Sequence, residues 1–132
     1  MLHHISLGTT DIDRAAAFYD AILKPLGYAR VGSDLRPGQA GQAVGYGAPG
    51  GGDKLALKQV PPGTALTSPG SHVAFAAPTP AAVAAFHAAA LAQGGVDDGL
   101  PGPRPQYGPG YYAAFVLDPD GHRLEATHIG GA

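Results

Sequence analysis

His4-Ile5-Ser6-Leu7 and His72-Val73-Ala74-Phe75 open two stretches that copy one another 68 positions apart. The first continues through a turn into Ala15-Ala16-Ala17-Phe18, then Leu23 and Gly27. The second continues into Val83-Ala84-Ala85-Phe86, then Leu91 and Gly95. His4/His72, Ala16/Ala84, Ala17/Ala85, Phe18/Phe86, Leu23/Leu91 and Gly27/Gly95 all keep that offset without a gap. A fixed internal period dictates architecture before any single element is read. Here it also pairs two histidines at equivalent positions.

Outward from the repeat, residues 2–8 alternate as a half-buried strand, with Leu2, His4 and Ser6 on one face and His3, Ile5 and Leu7 on the other. Thr10-Asp11 caps a helix over 11–24 that carries Ile12, Ala15, Ala16, Tyr19, Ile22 and Leu23 on one side. Pro25 and Gly27 end it. Strands are expected near 28–32, 43–46 and 54–59. Residues 61–70, rich in Pro and Gly, read as a hinge. The pattern then restarts with a strand over 71–76, a cap at Thr79, Pro80 at the first helical position and a helix over 80–93 burying Val83, Phe86, Ala90 and Leu91. Pro101–Pro109 reads as a long loop. Strands over 111–117 and 122–128 flank Asp118-Pro119-Asp120-Gly121, whose Asp-Gly ending signals a hairpin. The order is β-α-β-β-β twice, an α+β fold: one domain over 1–132, with module one at 1–60, the hinge at 61–70 and module two at 71–129.

Composition narrows the function classes. The chain has 132 residues, 45% of them hydrophobic, with 21 glycines and 13 prolines, enough for one core shared by two half-length modules. A net charge of −2 offers no footprint for nucleic acid. No stretch reaches the roughly 18 apolar residues of a membrane span, and no leader pattern opens the chain, so a cytoplasmic protein is expected. With no cysteine, a metal would be held by nitrogen and oxygen ligands alone.

The element order and its residues resemble the vicinal-oxygen-chelate superfamily, which includes glyoxalase I, extradiol dioxygenases, fosfomycin-resistance transferases and bleomycin-binding proteins. The resemblance rests on His4-Ile5-Ser6-Leu7, Phe18-Tyr19 with Leu26-Gly27, Ser71-His72-Val73-Ala74-Phe75, and above all Phe115-Val116-Leu117-Asp118-Pro119-Asp120-Gly121-His122-Arg123-Leu124-Glu125. It implies that the two modules form a cup-shaped mixed sheet around the site. It implies metal ligands at His4, His72 and Glu125, a small-molecule substrate and a homodimer whose sites take ligands from one chain or from both. Two imidazoles and a carboxylate leave positions open for two adjacent substrate oxygens, and suit Zn, Ni, Fe, Mn or Co alike.

Glyoxalase I uses a fourth ligand, a glutamate on the last strand of its first module. Lys54-Leu55-Ala56-Leu57-Lys58-Gln59 offers no carboxylate there, so a three-ligand site is expected, with Gln59 the one neutral substitute. Metal-dependent lyase or isomerase chemistry of the glyoxalase kind is the first reading. A single-domain extradiol-type dioxygenase is the second. A non-catalytic drug or metabolite binder is the rival from another class, disfavoured by the intact ligand set and the lack of tryptophan.

Arg104, Tyr107, Tyr111 and Tyr112 gather around the Pro/Gly loop as a candidate substrate wall. Arg104 can clamp a carboxylate or phosphate, and Tyr107 or Tyr111 can hydrogen-bond a chelated oxygen or donate a proton. Tyr46 and Phe75 are expected to line or support the cup. His3 is expected to point away from His4, His128 away from Glu125, and His87 into solvent, while His122 serves the turn.

Overall fold

The computed structural model describes residues 1–130; residues 131–132, the end of the expected 1–132 domain, lie outside the described residues. Chain order is β1 (Ile5–Thr9), α1 (Ile12–Leu23), β2 (Ala29–Asp34), β3 (Ala43–Gly47), β4 (Leu55–Gln59), β5 (Val73–Ala76), α2 (Pro80–Ala92), β6 (Val96–Pro103), β7 (Tyr111–Leu117) and β8 (Arg123–Ile129). This is βαβββ twice, an α+β fold. The sheets are ordered β1-β4-β3-β2 and β5-β8-β7-β6. In each, the first strand runs parallel to the last and the other pairings are antiparallel.

Both helices start where the chain supplies an acceptor for an orphan amide. Asp11 accepts from Arg14 N at 3.1 Å, and Thr79 accepts from Ala82 N at 3.0 Å. Helix α1 buries Ile12, Ala15, Ala16, Phe18, Tyr19, Ile22 and Leu23 against the first sheet. Helix α2 buries Ala82, Val83, Phe86, His87 and Ala90 against the second. The helices also pack on each other, so residues of both halves share one core that includes Val44, Tyr46, Leu57, Val116 and Leu124. Each sheet therefore turns its second face away from that core.

The stretch expected as a loop, Pro101–Pro109, is instead partly strand: β6 runs to Pro103, and a short 3-10 turn spans Pro105–Tyr107. Proline is tolerated because β6 is an edge strand, and its pairing to β7 slips at Asp97/Gly99 and Gly99/Gly102. Strand β6 also explains two misplaced side chains. It covers the flank of α2, so His87 is buried and its Nε2–H donates to Asp97 at 2.8 Å, while Leu91, off the buried stripe, is 44% exposed. His3 does not point away from His4: the rings meet edge-on with centroids 5.1 Å apart. Both precede β1, where strand alternation does not yet operate.

The Asp118–Gly121 turn joins the halves as well as reversing the chain. Asp118 Oδ1 accepts from the amides of Asp120 and His122, each at 2.9 Å, and Gly121 takes φ 89°. Asp118 Oδ2 accepts from the Tyr19 hydroxyl of α1 at 2.6 Å. Arg14 bridges to Asp120 at 2.6 Å. His122 does more than fit the turn: its Nε2–H donates to the Gly8 carbonyl at 2.7 Å. Burial pushes the Asp118 carboxyl up, against the lowering effect of the Tyr19 hydrogen bond. Burial, with Asp118 alongside, raises the Tyr19 phenol well above its ordinary value.

Candidate metal and substrate site

Strand alternation sorts β8 into two faces. Leu124 and Ala126 enter the core, while Glu125 and Thr127 take the opposite face. Register then assigns their neighbours. Glu125 lies opposite Ala74 on β5 and Phe115 on β7, and Tyr111 shares its face. His72 immediately precedes β5, two residues before Ala74, and so falls on that face too.

Three side chains converge there. The Glu125 side chain is 4% exposed and that of His72 is 49% exposed. His72 Nε2 stands 3.1 Å from Glu125 Oε1, and the Tyr111 hydroxyl donates to Glu125 Oε2. That hydrogen bond is the main reason the Tyr111 phenol is raised above its ordinary value. A carboxylate this buried is stable only because both oxygens are engaged. The donor set also fits a divalent ion. Two ligands each about 2.1 Å from one ion and roughly 90–110° apart stand about 3.0–3.4 Å from each other. The observed 3.1 Å falls within that range.

His4 does not join them within one chain. It is exposed, and its Nδ1 faces His3 Nδ1 at 2.9 Å. Among the described residues, no group of three or more metal-ligating side chains gathers. His4 precedes β1 and stands outside the pair that His72 and Glu125 form. Strands β1 and β5 are each left with one unpaired edge. Between them lie an apolar recess of about 460 Å³, lined by Leu2, Ile5, Tyr28, Tyr46, Val73 and Phe75 among others, and a more polar groove that also reaches His72.

The candidate wall divides. Tyr111 touches Glu125, and Tyr107, 60% exposed, meets the Tyr111 ring edge-on at 5.4 Å. Arg104 is occupied with its own loop: its guanidinium donates to the carbonyls of Leu100 at 2.7 Å and Gly102 at 2.9 Å, and lies 5.5 Å from the Phe115 ring centroid. Tyr112 packs against the core. Tyr46 is fully buried in that core, and Phe75 packs against Phe86 rather than facing Glu125. Gln59 is not free to act as a neutral ligand, because its Oε1 accepts from Ile12 N at 3.0 Å at the start of α1. His128 does face away, with Nδ1–H donating to the Ala77 carbonyl at 3.1 Å. Phe115 and Thr127 were not singled out by sequence, although their parity with Tyr111 and Glu125 was the available signal.

The registers also identify the module-one twin of Glu125. Ala74 pairs with Glu125 as Ser6 pairs with Ala56, and Ser6 and Ala74 are equivalent in the repeat. The twin is therefore Ala56, and module one places no carboxylate at that strand position.

The sequence model of the Glyoxalase/Bleomycin resistance protein/Dioxygenase superfamily matches residues 1–126. Among solved structures, the chain is similar to a glyoxalase/bleomycin resistance protein from Albidiferax ferrireducens T118, with 32% identity and a TM-score of 0.79 over 97% of this chain and 98% of that one. It is similar to a glyoxalase-related enzyme from Fulvimarina pelagi, with 27% identity and a TM-score of 0.68 over 97% and 87% of the two chains. It shares its fold with a genomically encoded fosfomycin resistance protein from Listeria monocytogenes, with 19% identity and a TM-score of 0.67 over 99% and 93%. Comparison with curated proteins yields no match. No helix among the described residues is long and apolar enough to cross a membrane.

Proposed function

Since the chain belongs to the glyoxalase/bleomycin resistance protein/dioxygenase superfamily, we propose that it is a divalent-metal-dependent enzyme of the glyoxalase-like lyase or isomerase kind. Its substrate is a small molecule gripped through two adjacent oxygens. The observation that carries this reading is the buried Glu125 carboxylate, held between His72 and Tyr111 on the sheet face turned away from the core. The imidazole beside this carboxylate is half-exposed and stands at ligand spacing, so an ion could take both from the open side.

His72 and Glu125 from one copy and His4 from a second copy would hold the metal. Within one chain His4 stands apart from the His72–Glu125 pair, and two copies exchanging these parts about a twofold axis would complete two sites. The unpaired edges of β1 and β5 favour the same assembly, because each is an open hydrogen-bonding edge that a second copy can continue.

When bound, the metal supplies Lewis-acid stabilisation of negative charge on two neighbouring substrate oxygens. The chain's own residues prepare for that. The Tyr111 hydroxyl donates its proton to Glu125 Oε2, which leaves Oε1 to His72. Phe115 and the half-exposed Tyr107 give the same side an aromatic wall that limits water.

The reading is tested by stripping the purified protein of metal and titrating it with Co(II), Zn(II), Ni(II), Mn(II) and Fe(II). Stoichiometric binding of at least one ion, lost in His72→Ala and Glu125→Gln, is expected. The loaded protein should then convert one class among thiol adducts of aldehydes, epoxides and catechols; turnover of catechols alone would move the assignment to dioxygenase. Failure of every ion to bind the folded wild-type protein would overturn the reading.

A further inference from the structure

Among the described residues, the one hydrogen-bond partner of the His4 ring is the histidine before it. We infer that His3 is a positioning residue for the metal site: it accepts a hydrogen bond from His4 Nδ1–H and so leaves His4 Nε2 as the ligand atom. The inference rests on the metal reading above.

The chain reaches this arrangement at the start of β1. Ile5 N donates to the Lys54 carbonyl at 3.0 Å, which pins the backbone immediately after His4. His3 and His4 themselves lie before the strand, so alternation does not force their side chains apart. The rings meet at 87°, with centroids 5.1 Å apart, and Nδ1 stands 2.9 Å from Nδ1. Both histidines are exposed. Without this contact the His4 ring would have to be ordered when an ion binds, at an entropic cost.

Proton accounting fixes the direction of the bond. A neutral imidazole carries one N–H and one bare nitrogen, so two facing Nδ1 atoms need one donor and one acceptor. If His3 donated, His4 would spend its bare nitrogen on His3 and carry its proton on Nε2, with no lone pair left for an ion. If His4 donates, its Nε2 keeps that lone pair. A ligand histidine is of the second kind, and the acceptor of its other N–H sets its tautomer and orientation. Module two points to the same ligand atom. His72, the equivalent of His4 in the repeat, presents Nε2 to Glu125 Oε1 at 3.1 Å. The residue before it, Ser71, is the counterpart of His3 and is engaged with Ser68 at 2.8 Å instead. A ring acceptor beside a candidate ligand is thus peculiar to module one.

Nitrogen-15 NMR of the metal-free full chain, above the titration range of its histidines, reads each tautomer without ion or turnover. Wild type should hold His4 in the Nδ1–H form. His3→Ala should release it to the mixture of an exposed imidazole, with His72 unchanged. His3→Asn, whose amide oxygen accepts the same proton, should restore it. Position 3 is exposed, so neither variant threatens the fold. Co(II) titration should follow the tautomer. His3→Ala should bind roughly 10-fold more weakly, the scale on which residues behind a metal ligand act, and His3→Asn should recover most of that loss. An Nε2–H form of His4 in wild type would overturn the inference. So would wild-type Co(II) affinity in His3→Ala where Glu125→Gln has lost the ion; either result leaves the metal reading standing. Equal losses in His3→Ala and His3→Asn would make His3 a ligand itself and also overturn the positioning role. A wild-type protein that binds no ion overturns both readings, whatever the tautomer.

Discussion

Removing one hydroxyl at Tyr19 should loosen the joint between the two halves by an amount that depends on pH. The hydroxyl donates to Asp118 Oδ2 at 2.6 Å, and both residues are nearly inaccessible, at 1% and 4% exposure. Tyr19→Phe keeps the ring, with its packing on Phe18 and Tyr46 at centroid distances of 5.4 and 6.2 Å. Asp118 Oδ1 keeps its two backbone amides, so the loss falls on Oδ2 alone. A hydrogen bond to a charged group contributes about 1.5–3 kcal/mol, and one between neutral groups about 1 kcal/mol. The Tyr19 hydroxyl favours ionised Asp118 and so lowers a carboxyl that burial raises; deleting it raises that carboxyl further. The sign follows. Below the Asp118 pKa the bond is neutral in both states and the deficit is about 1 kcal/mol; above it, the deficit grows to about 2 kcal/mol. Urea unfolding at fixed protein concentration, at pH 3 and pH 7.5, measures both values, with an unchanged m-value as the control for compactness. At neutral pH the thermal midpoint should drop by about 8 °C. A deficit below about 0.5 kcal/mol, or one identical at the two pH values, would refute the claim that Tyr19 supports a charged Asp118 at the joint.

His87 holds the Asp97 carboxyl below its usual range, chiefly through their hydrogen bond, so this pair contributes stability that is complete above the unfolded carboxyl pKa of about 3.9 and lost as pH falls through the lower folded value. The stability gap between wild type and Asp97→Asn should accordingly be steady near pH 5 and shrink as pH falls below about 3.9 in urea titrations; a constant gap would contradict it. Ala56→Glu restores the strand carboxylate that register assigns to module one, and should tighten Co(II) binding roughly 10-fold, whereas no change would mean that Ala56 does not face the site. Arg104→Ala removes the donor that gathers the carbonyls of Leu100 and Gly102 and should lower stability by about 1–2 kcal/mol while leaving Co(II) affinity within twofold; a selective rise in KM with stability intact would return Arg104 to the role of a substrate clamp.

The repeat made β1, α1, β5 and α2 legible because helix caps, glycine stops and alternation are local signals, and the copy repeats each of them. Strand β6 was not legible. Pro101 and Pro103 argue against a strand in any window, and only its place at the sheet edge, a tertiary fact, makes them tolerable. His87 and Leu91 were misplaced for the same reason, since the face α2 buries is set by an element the local pattern conceals. At the site, His72, Glu125 and Tyr111 were each singled out in the sequence, but their convergence needed the register of β5, β8 and β7. The Tyr19–Asp118 and His122–Gly8 contacts span 99 and 114 positions, and nothing local announces them.

Subunit mixing tests most directly the claim that each site draws ligands from two copies. His4→Ala and His72→Ala proteins should each bind no Co(II) alone. After they are mixed in equal amounts, unfolded and refolded together, half of the dimers pair one copy of each. Every such dimer regains one intact site, so about one ion should bind per four chains. If mixing restores no Co(II) binding although both variants dimerise, all ligands come from one chain and the account is contradicted.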